Sequence, residues 1–205
     1  MRVEGTSRRR GADVTPPYAA VILAGGAARR LGGQPKPELR VGGRRLLDLV
    51  LGAVPDAEPR IVVGPVMEVP PGVRLTRERP PGGGPVAALA AGLAELAPDV
   101  ELITLLAADL PFLRARVIST LLAAVADGAV LLDDGGRPQL LIGAWRVAAL
   151  HNAVAALPSV EGASLRNLVA SLDVARVTWE VPAGTPPPWW DCDSAEELCR
   201  AREWL

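Results

Sequence analysis

Of the 22 lysine and arginine side chains in this 205-residue sequence, one alone is lysine, Lys36. It ends the stretch LAGGAARRLGGQPK, residues 23–36, which also holds Gly25, Gly26, Gly32, Gly33, Arg29 and Arg30. Glycines let a backbone approach a phosphate closely and expose its N–H donors, while cations offset the phosphate charge. Arginine offers a planar fork, lysine a compact charge on a flexible stem. A sequence that uses arginine everywhere else keeps lysine where the compact charge is needed. Lysine among phosphates suits phosphoryl or nucleotidyl transfer, where catalysis is chiefly positioning and charge stabilisation. The stretch is not a Walker loop, because no Gly-Lys-Ser/Thr follows, and it does not spell G-x-G-x-x-G.

Acids stand at two further places. Asp109, in AADLPFL, directly follows the most apolar run of the chain. It reads either as the N-cap of a helix starting near Pro111 or as a ligand of Mg²⁺, which is usually held by one or two carboxylates plus substrate phosphates. Asp191 and Asp193, in WWDCDSAEEL, alternate, so both can face one side of an extended segment. They read as caps of a terminal helix or as the second carboxylate of a metal site. GGGPVA from Gly82 fits G-x-G-x-x-A by letter, yet the RERPP before it is no strand, which weighs against an NAD-binding oxidoreductase. A single histidine, His151, leaves no His-based triad and no zinc set. Cys192 and Cys199, seven residues apart, are expected as reduced thiols on one face of a helix.

The elements that must position these groups follow from the apolar patterning. Strands are expected over residues 18–23, 60–64, 72–76 and 100–108, the last central in the sheet. Helices are expected over 45–54 and 85–96, the second with proline in its first turn. A helix over 114–126 precedes a hairpin over 128–145 that turns at Asp134 and Gly135. Helices over 146–157 and 163–172 come next, then a strand over 175–181. A terminal helix takes Ser194 as N-cap, with Glu196 and Glu197 in its first turn. This order implies an α/β fold with a mostly parallel sheet and an antiparallel element added late.

Net charge −1, with 49% hydrophobic and 22% charged residues, describes an ordinary globular protein. It argues against a nucleic-acid-coating surface and against a polybasic membrane anchor, and no apolar run reaches the ~18 residues of a membrane span. Residues 1–17 have arginines without an apolar core and are expected as a disordered leader to one domain over 18–205, in the cytoplasm. Asp133 and Asp134 read as turn chemistry, and Trp189 and Trp190 as packing over a sheet edge, with stacking on the flat ring of a ligand as the alternative.

The motifs together resemble the MobA-like nucleotidyltransferase family of molybdenum cofactor synthesis, its guanylyltransferase branch above all. LAGGAARRLGGQPK matches the family's first signature, PPGGGPVAALAAGL its second loop, AADLPFL its metal-binding Asp-x-Pro segment and DCDSAEEL its C-terminal segment. The resemblance runs collinearly from Tyr18 to the C-terminus and implies a Rossmann-like, three-layer nucleotidyltransferase fold. It implies that Leu23, Ala24, Gly25 and Gly26 bind the base and sugar through backbone amides. Arg30 and Lys36 would grip the triphosphate, Lys36 at the α-phosphate. Glu78 matches an acidic position ahead of the second loop, and Gly82, Gly83, Gly84 and Pro85 would lie near the base. Asp109 would hold Mg²⁺, with Asp193, or less closely Asp191, completing the site. Pro138 and Gln139 match a segment near the acceptor.

On this resemblance GMP passes from GTP to the terminal phosphate of molybdopterin, pyrophosphate leaves, and the product is handed to molybdoenzymes or their chaperones. Pro35 before the lysine, and aspartates at 191 and 193, depart from the guanylyl pattern and keep CTP, or another phosphorylated acceptor, open. A non-catalytic nucleotide-binding accessory protein is the alternative of another class. Intact Lys36 and Asp109 count against it.

Overall fold

The computed structural model describes residues 15–25 and 36–204. Most of the expected leader therefore lies outside the described residues, as do Gly26, Arg29, Arg30, Gly32 and Gly33. Strand β1 (Ala19–Leu23) is buried along its whole length. A two-stranded ribbon, β2 (Arg40–Val41) and β3 (Arg44–Arg45), precedes helix α1 (Leu46–Leu51). β1 then pairs in parallel with β4 (Arg60–Val63) on one side and β6 (Leu102–Ala107) on the other. β5 (Val73–Thr76) extends the sheet beyond β4. On the far side β8 (Pro138–Arg146) runs antiparallel to both β6 and β7 (Gly128–Leu132). β9 (Val174–Val177) completes the order β5-β4-β1-β6-β8-β7-β9, parallel to β7. β8 alone is reversed, the late antiparallel element that the sequence implies.

The alternation of side chains along β1 divides the core. Ala20 and Ile22 join a cluster with α1 and α3 (Ala115–Ala123), while Ala19, Val21 and Leu23 face α2 (Pro85–Leu93), α4 (Val147–Ala155) and α5 (Leu165–Leu168). Helices thus cover both faces of the sheet, in three layers. α2 enters through Gly84, whose φ of 91° is open to glycine and strained for other residues. It sits so close to the sheet that a Cβ on Gly92 would lie 2.5 Å from Val21 Cγ1.

Some elements are shorter than the sequence suggests. α5 spans four residues instead of ten: beyond Leu168 the chain tightens into turns, with Ala170 N–H bonded to the Asn167 carbonyl and Leu172 N–H to the Val169 carbonyl. β9 stops at Val177, short of residue 181, where its pairing with β7 ends. The two cysteines do not share a helix face: Cys192 precedes α6 (Ala195–Glu203) and is buried, whereas Cys199 lies on it and is exposed. Both are free, as expected.

A third cluster ties the C-terminal segment back to the start of the fold. Cys192, Leu198 and Ala201 pack with Leu39, Val41, Leu46 and Phe112. Arg202 Nε donates to the Arg40 carbonyl at 3.1 Å, fastening α6 to β2.

Candidate active site

β1 lies between β4 and β6, where the connections diverge to opposite sides of the sheet; ligands of open α/β sheets bind beyond the carboxyl ends of the strands at such a point. A cavity of about 600 Å³ opens there. Leu23, Ala24 and Gly25, the end of β1 and its continuation, line it beside Ala107, the end of β6, and Ala108 just past it. From the loop before α2 come Glu78, Gly82, Gly84 and Pro85, with Glu78 Oε1 accepting from the Gly82 N–H at 2.9 Å. Gly83 instead turns away from the cavity: its carbonyl accepts from Gly162 N–H at 2.9 Å. Gln139 lines the cavity, while Pro138, exposed at the start of β8, does not. Arg30 and Gly26, the remaining expected contacts, lie outside the described residues.

Lys36 begins a short 3-10 turn (Lys36–Glu38) whose carbonyl accepts from Leu39 N–H at 3.1 Å. Arg45 braces this turn from behind. Its guanidinium grips both oxygens of Asp48 at 2.8 Å, reaches Glu38 at 3.4 Å and donates to the Glu68 carbonyl at 2.9 Å. These anions keep Arg45 charged, well above the ordinary range for arginine. Sequence reasoning missed this brace. The only signal was a carboxylate on either side of Arg45, and surface ion pairs commonly look the same.

The Lys36 ammonium lies between two carboxylates from distant parts of the chain. It donates to Asp109 Oδ2 at 3.3 Å and to Asp193 Oδ1. Partial burial works against its charge, but the hydrogen bond to Asp193 and the field of Asp109 outweigh it, and its pKa is raised. Asp109 is lifted above the usual carboxylate range by desolvation, with Lys36 opposing. Asp191, at the rim, is pushed up to about 6, first by desolvation and then by Asp193 and Asp109. Three acids thus crowd one lysine, leaving excess negative charge at the cavity mouth.

The capping alternatives for these acids do not hold. α3 begins at Ala115 with Arg114 as its N-cap, five residues beyond Asp109. α6 is capped by Ser194, whose hydroxyl accepts from Glu197 N–H at 3.1 Å while Glu197 Oε2 accepts from the Asp193 N–H at 3.0 Å. The Asp193 side chain therefore serves neither end of the helix. Burial of Cys192 explains the D-C-D spacing: the thiol anchors inward, and the flanking carboxylates alternate outward to the cavity.

Among the described residues no three His, Cys, Asp or Glu side chains form a ready-made metal cage. Asp109 and Asp193 nonetheless reach one nitrogen, so one small cation can sit between them. Oxygen-only ligation by two carboxylates, completed by substrate phosphates, fits Mg²⁺. Among the described residues no helix is long and apolar enough to cross a membrane.

Residues 20–177 match the family model of the MobA-like NTP transferase domain. A molybdenum cofactor guanylyltransferase of Bradyrhizobium sp. (strain ORS 278) is 32% identical over 200 residues, covering 92% of this chain and 93% of the relative. Molybdopterin-guanine dinucleotide biosynthesis protein A from Archaeoglobus fulgidus superposes with a TM-score of 0.67 at 18% identity, over 90% of this chain and 97% of its own. 2-C-methyl-D-erythritol 4-phosphate cytidylyltransferase from Thermus thermophilus gives 0.68 at 22%, over 91% and 98%. At such identities the two structures speak for the fold alone, a Rossmann-like one. The family model and the near full-length relative settle the rest: the chain belongs to the MobA-like NTP transferase family and is a nucleotidyltransferase.

Proposed function

We propose that the protein transfers GMP from GTP to the terminal phosphate of molybdopterin in the making of a dinucleotide cofactor, with residues 18–205 as the catalytic domain. The observation that carries this is Lys36 set between Asp109 and Asp193 at the mouth of the strand-end cavity. Support for guanine and for molybdopterin comes from relatives named molybdenum cofactor guanylyltransferase.

In this reading the base and sugar lie against Leu23, Ala24, Gly25 and Gly26, with the base toward Glu78, Gly82, Gly84 and Pro85, and the triphosphate reaches Arg30 and Lys36. Gly83 supports that loop through its carbonyl, which accepts from Gly162 N–H. An acceptor phosphate oxygen attacks the α-phosphorus in line; the new P–O bond forms as the bond to the β-phosphate oxygen breaks, and pyrophosphate carries away the electron pair. Lys36 supplies positive charge where the α-phosphate oxygens gain negative charge. Asp109 and Asp193 would hold Mg²⁺, which when bound offsets the charge of the phosphates; Asp191 stands at the acceptor side. No side chain need act as nucleophile. Two free cysteines suit a reducing compartment, so we place the reaction in the cytoplasm.

A thermal-shift panel with GTP, CTP, ATP and UTP, each with and without Mg²⁺, followed by a pyrophosphate-release assay with molybdopterin, tests the reading. GTP at about 100 times its Kd is expected to add ~2.7 kcal/mol, a rise of roughly 5–10 °C for a domain of this size. A larger shift with CTP moves the donor to cytidine. No shift with any triphosphate overturns the reading.

A further inference from the structure

A second cavity, of about 450 Å³, adjoins the first and takes no part in the reading above. Its walls include Trp179, just past β9, and Trp189, at the end of the proline-rich connection, together with Leu132 and Thr178. Asp133 and Asp134, from the turn between β7 and β8, stand at its edge. Both tryptophans are partly buried against the core on one side, which holds their rings in place.

The two cavities share a partition. Trp189 lines both. Gln139, on the wall of the first, donates through Nε2 to Asp133 Oδ2 on the wall of the second at 2.9 Å. Asp133 is otherwise saturated, its Oδ1 accepting from the N–H groups of Gly135 and Arg137 at 2.9 Å. The Asp134 carboxylate has no side-chain hydrogen bond among the described residues and is exposed beside the cavity. Two indole side chains with one uncommitted carboxylate suit a flat, nitrogen-rich heterocycle whose edge carries adjacent N–H donors.

We infer that this cavity is the subsite for the pterin ring of the acceptor: a 2-amino-4-oxopteridine packs against Trp179 and Trp189 and gives its N–H edge to Asp134, while its phosphate passes Trp189 into the reaction cavity. The inference rests on the acceptor proposed above. Its volume is that of a small-molecule site. Trp189 then has two roles, packing at the sheet edge as the sequence suggests and separating the acceptor's ring from its reacting end. Guanine carries the same donor edge, so the test must distinguish a pterin from a nucleobase.

Isothermal titration of the full chain with 6-hydroxymethylpterin, repeated for Trp179→Leu and Asp134→Asn and in the presence of excess guanosine, makes that distinction. The GTP thermal shift is recorded on the same samples. Expected are measurable pterin binding by the parent chain, at least tenfold weaker binding by either variant, an unchanged GTP shift and no displacement by guanosine. Asp134→Asn, in an exposed turn, keeps the test valid if Trp179→Leu fails to fold. Equal pterin affinity in Asp134→Asn, no pterin binding by a chain that GTP stabilises, or displacement by guanosine overturns the subsite. Loss of the GTP shift from the parent chain with pterin binding intact strikes the donor reading instead.

Discussion

In the proposed reaction Lys36 acts as a point charge, and its neighbours define the test. Lys36→Ala is expected to lower kcat by 10²–10³, the usual cost of removing one group that stabilises transition-state charge. Lys36→Arg should restore little of it, because a planar fork cannot take the place of an ammonium between Asp109 and Asp193. Single-turnover pyrophosphate release with saturating nucleotide separates this loss from weaker binding. Tyr18, the single tyrosine, gives a second residue-level reading. Burial, helped by Asp56, pushes its phenol up to about 12 from 10.0. Below pH 10 both folded and unfolded chains keep that proton, so the contribution to stability is whole. Between pH 10 and 12 the folded chain alone retains it, and about 3 kcal/mol of stability drains away as pH rises. Phenolate absorbance should therefore appear only above pH 11, coincident with unfolding by circular dichroism.

Elements show why part of this was legible and part was not. β1 announces itself as an unbroken apolar run, and β6 as one interrupted only by Thr104, because both are covered on two faces. Their ends place Gly25 and Asp109 without further information. Asp193 is different: its pairing with Lys36 joins residues 157 apart, and only the burial of Cys192, Leu198 and Ala201 against Leu39, Val41 and Leu46 brings them together. Local pattern says nothing of such docking, nor of the Arg45 brace or the Trp179 wall. Leu198→Ala is expected to cost 2–5 kcal/mol if α6 unfolds with the domain. It should also weaken Mg²⁺-dependent nucleotide binding, measured by titration calorimetry. Alkylation gives a sharper check: Cys199 should react in the native protein, whereas Cys192, buried and pushed up to about 12, should react only after denaturation. Gly92→Val belongs here too. Its branched side chain would meet Val21 in the seam between α2 and β1, so a Tm loss of roughly 3–10 °C is expected by calorimetry.

At the scale of the whole molecule, the site is assembled from the early, middle and late parts of the chain. Lys36 occupies both acids that would hold the metal, so a triphosphate that draws the ammonium away frees two carboxylates for the cation. Nucleotide and Mg²⁺ should accordingly bind with mutual reinforcement, each tightening the other by the same factor. Calorimetric titrations in both orders measure that factor; independence of the two would contradict it. The position of Asp193 has a further consequence for synthesis of the protein. β1, β4, β6 and the cavity they frame emerge from the ribosome well before the D-C-D segment and α6. A nascent chain can build the sheet and still lack its second acid. In the proposed reaction, competence for transfer therefore waits on docking of the D-C-D segment, and a chain truncated before Cys192 is expected to release no pyrophosphate.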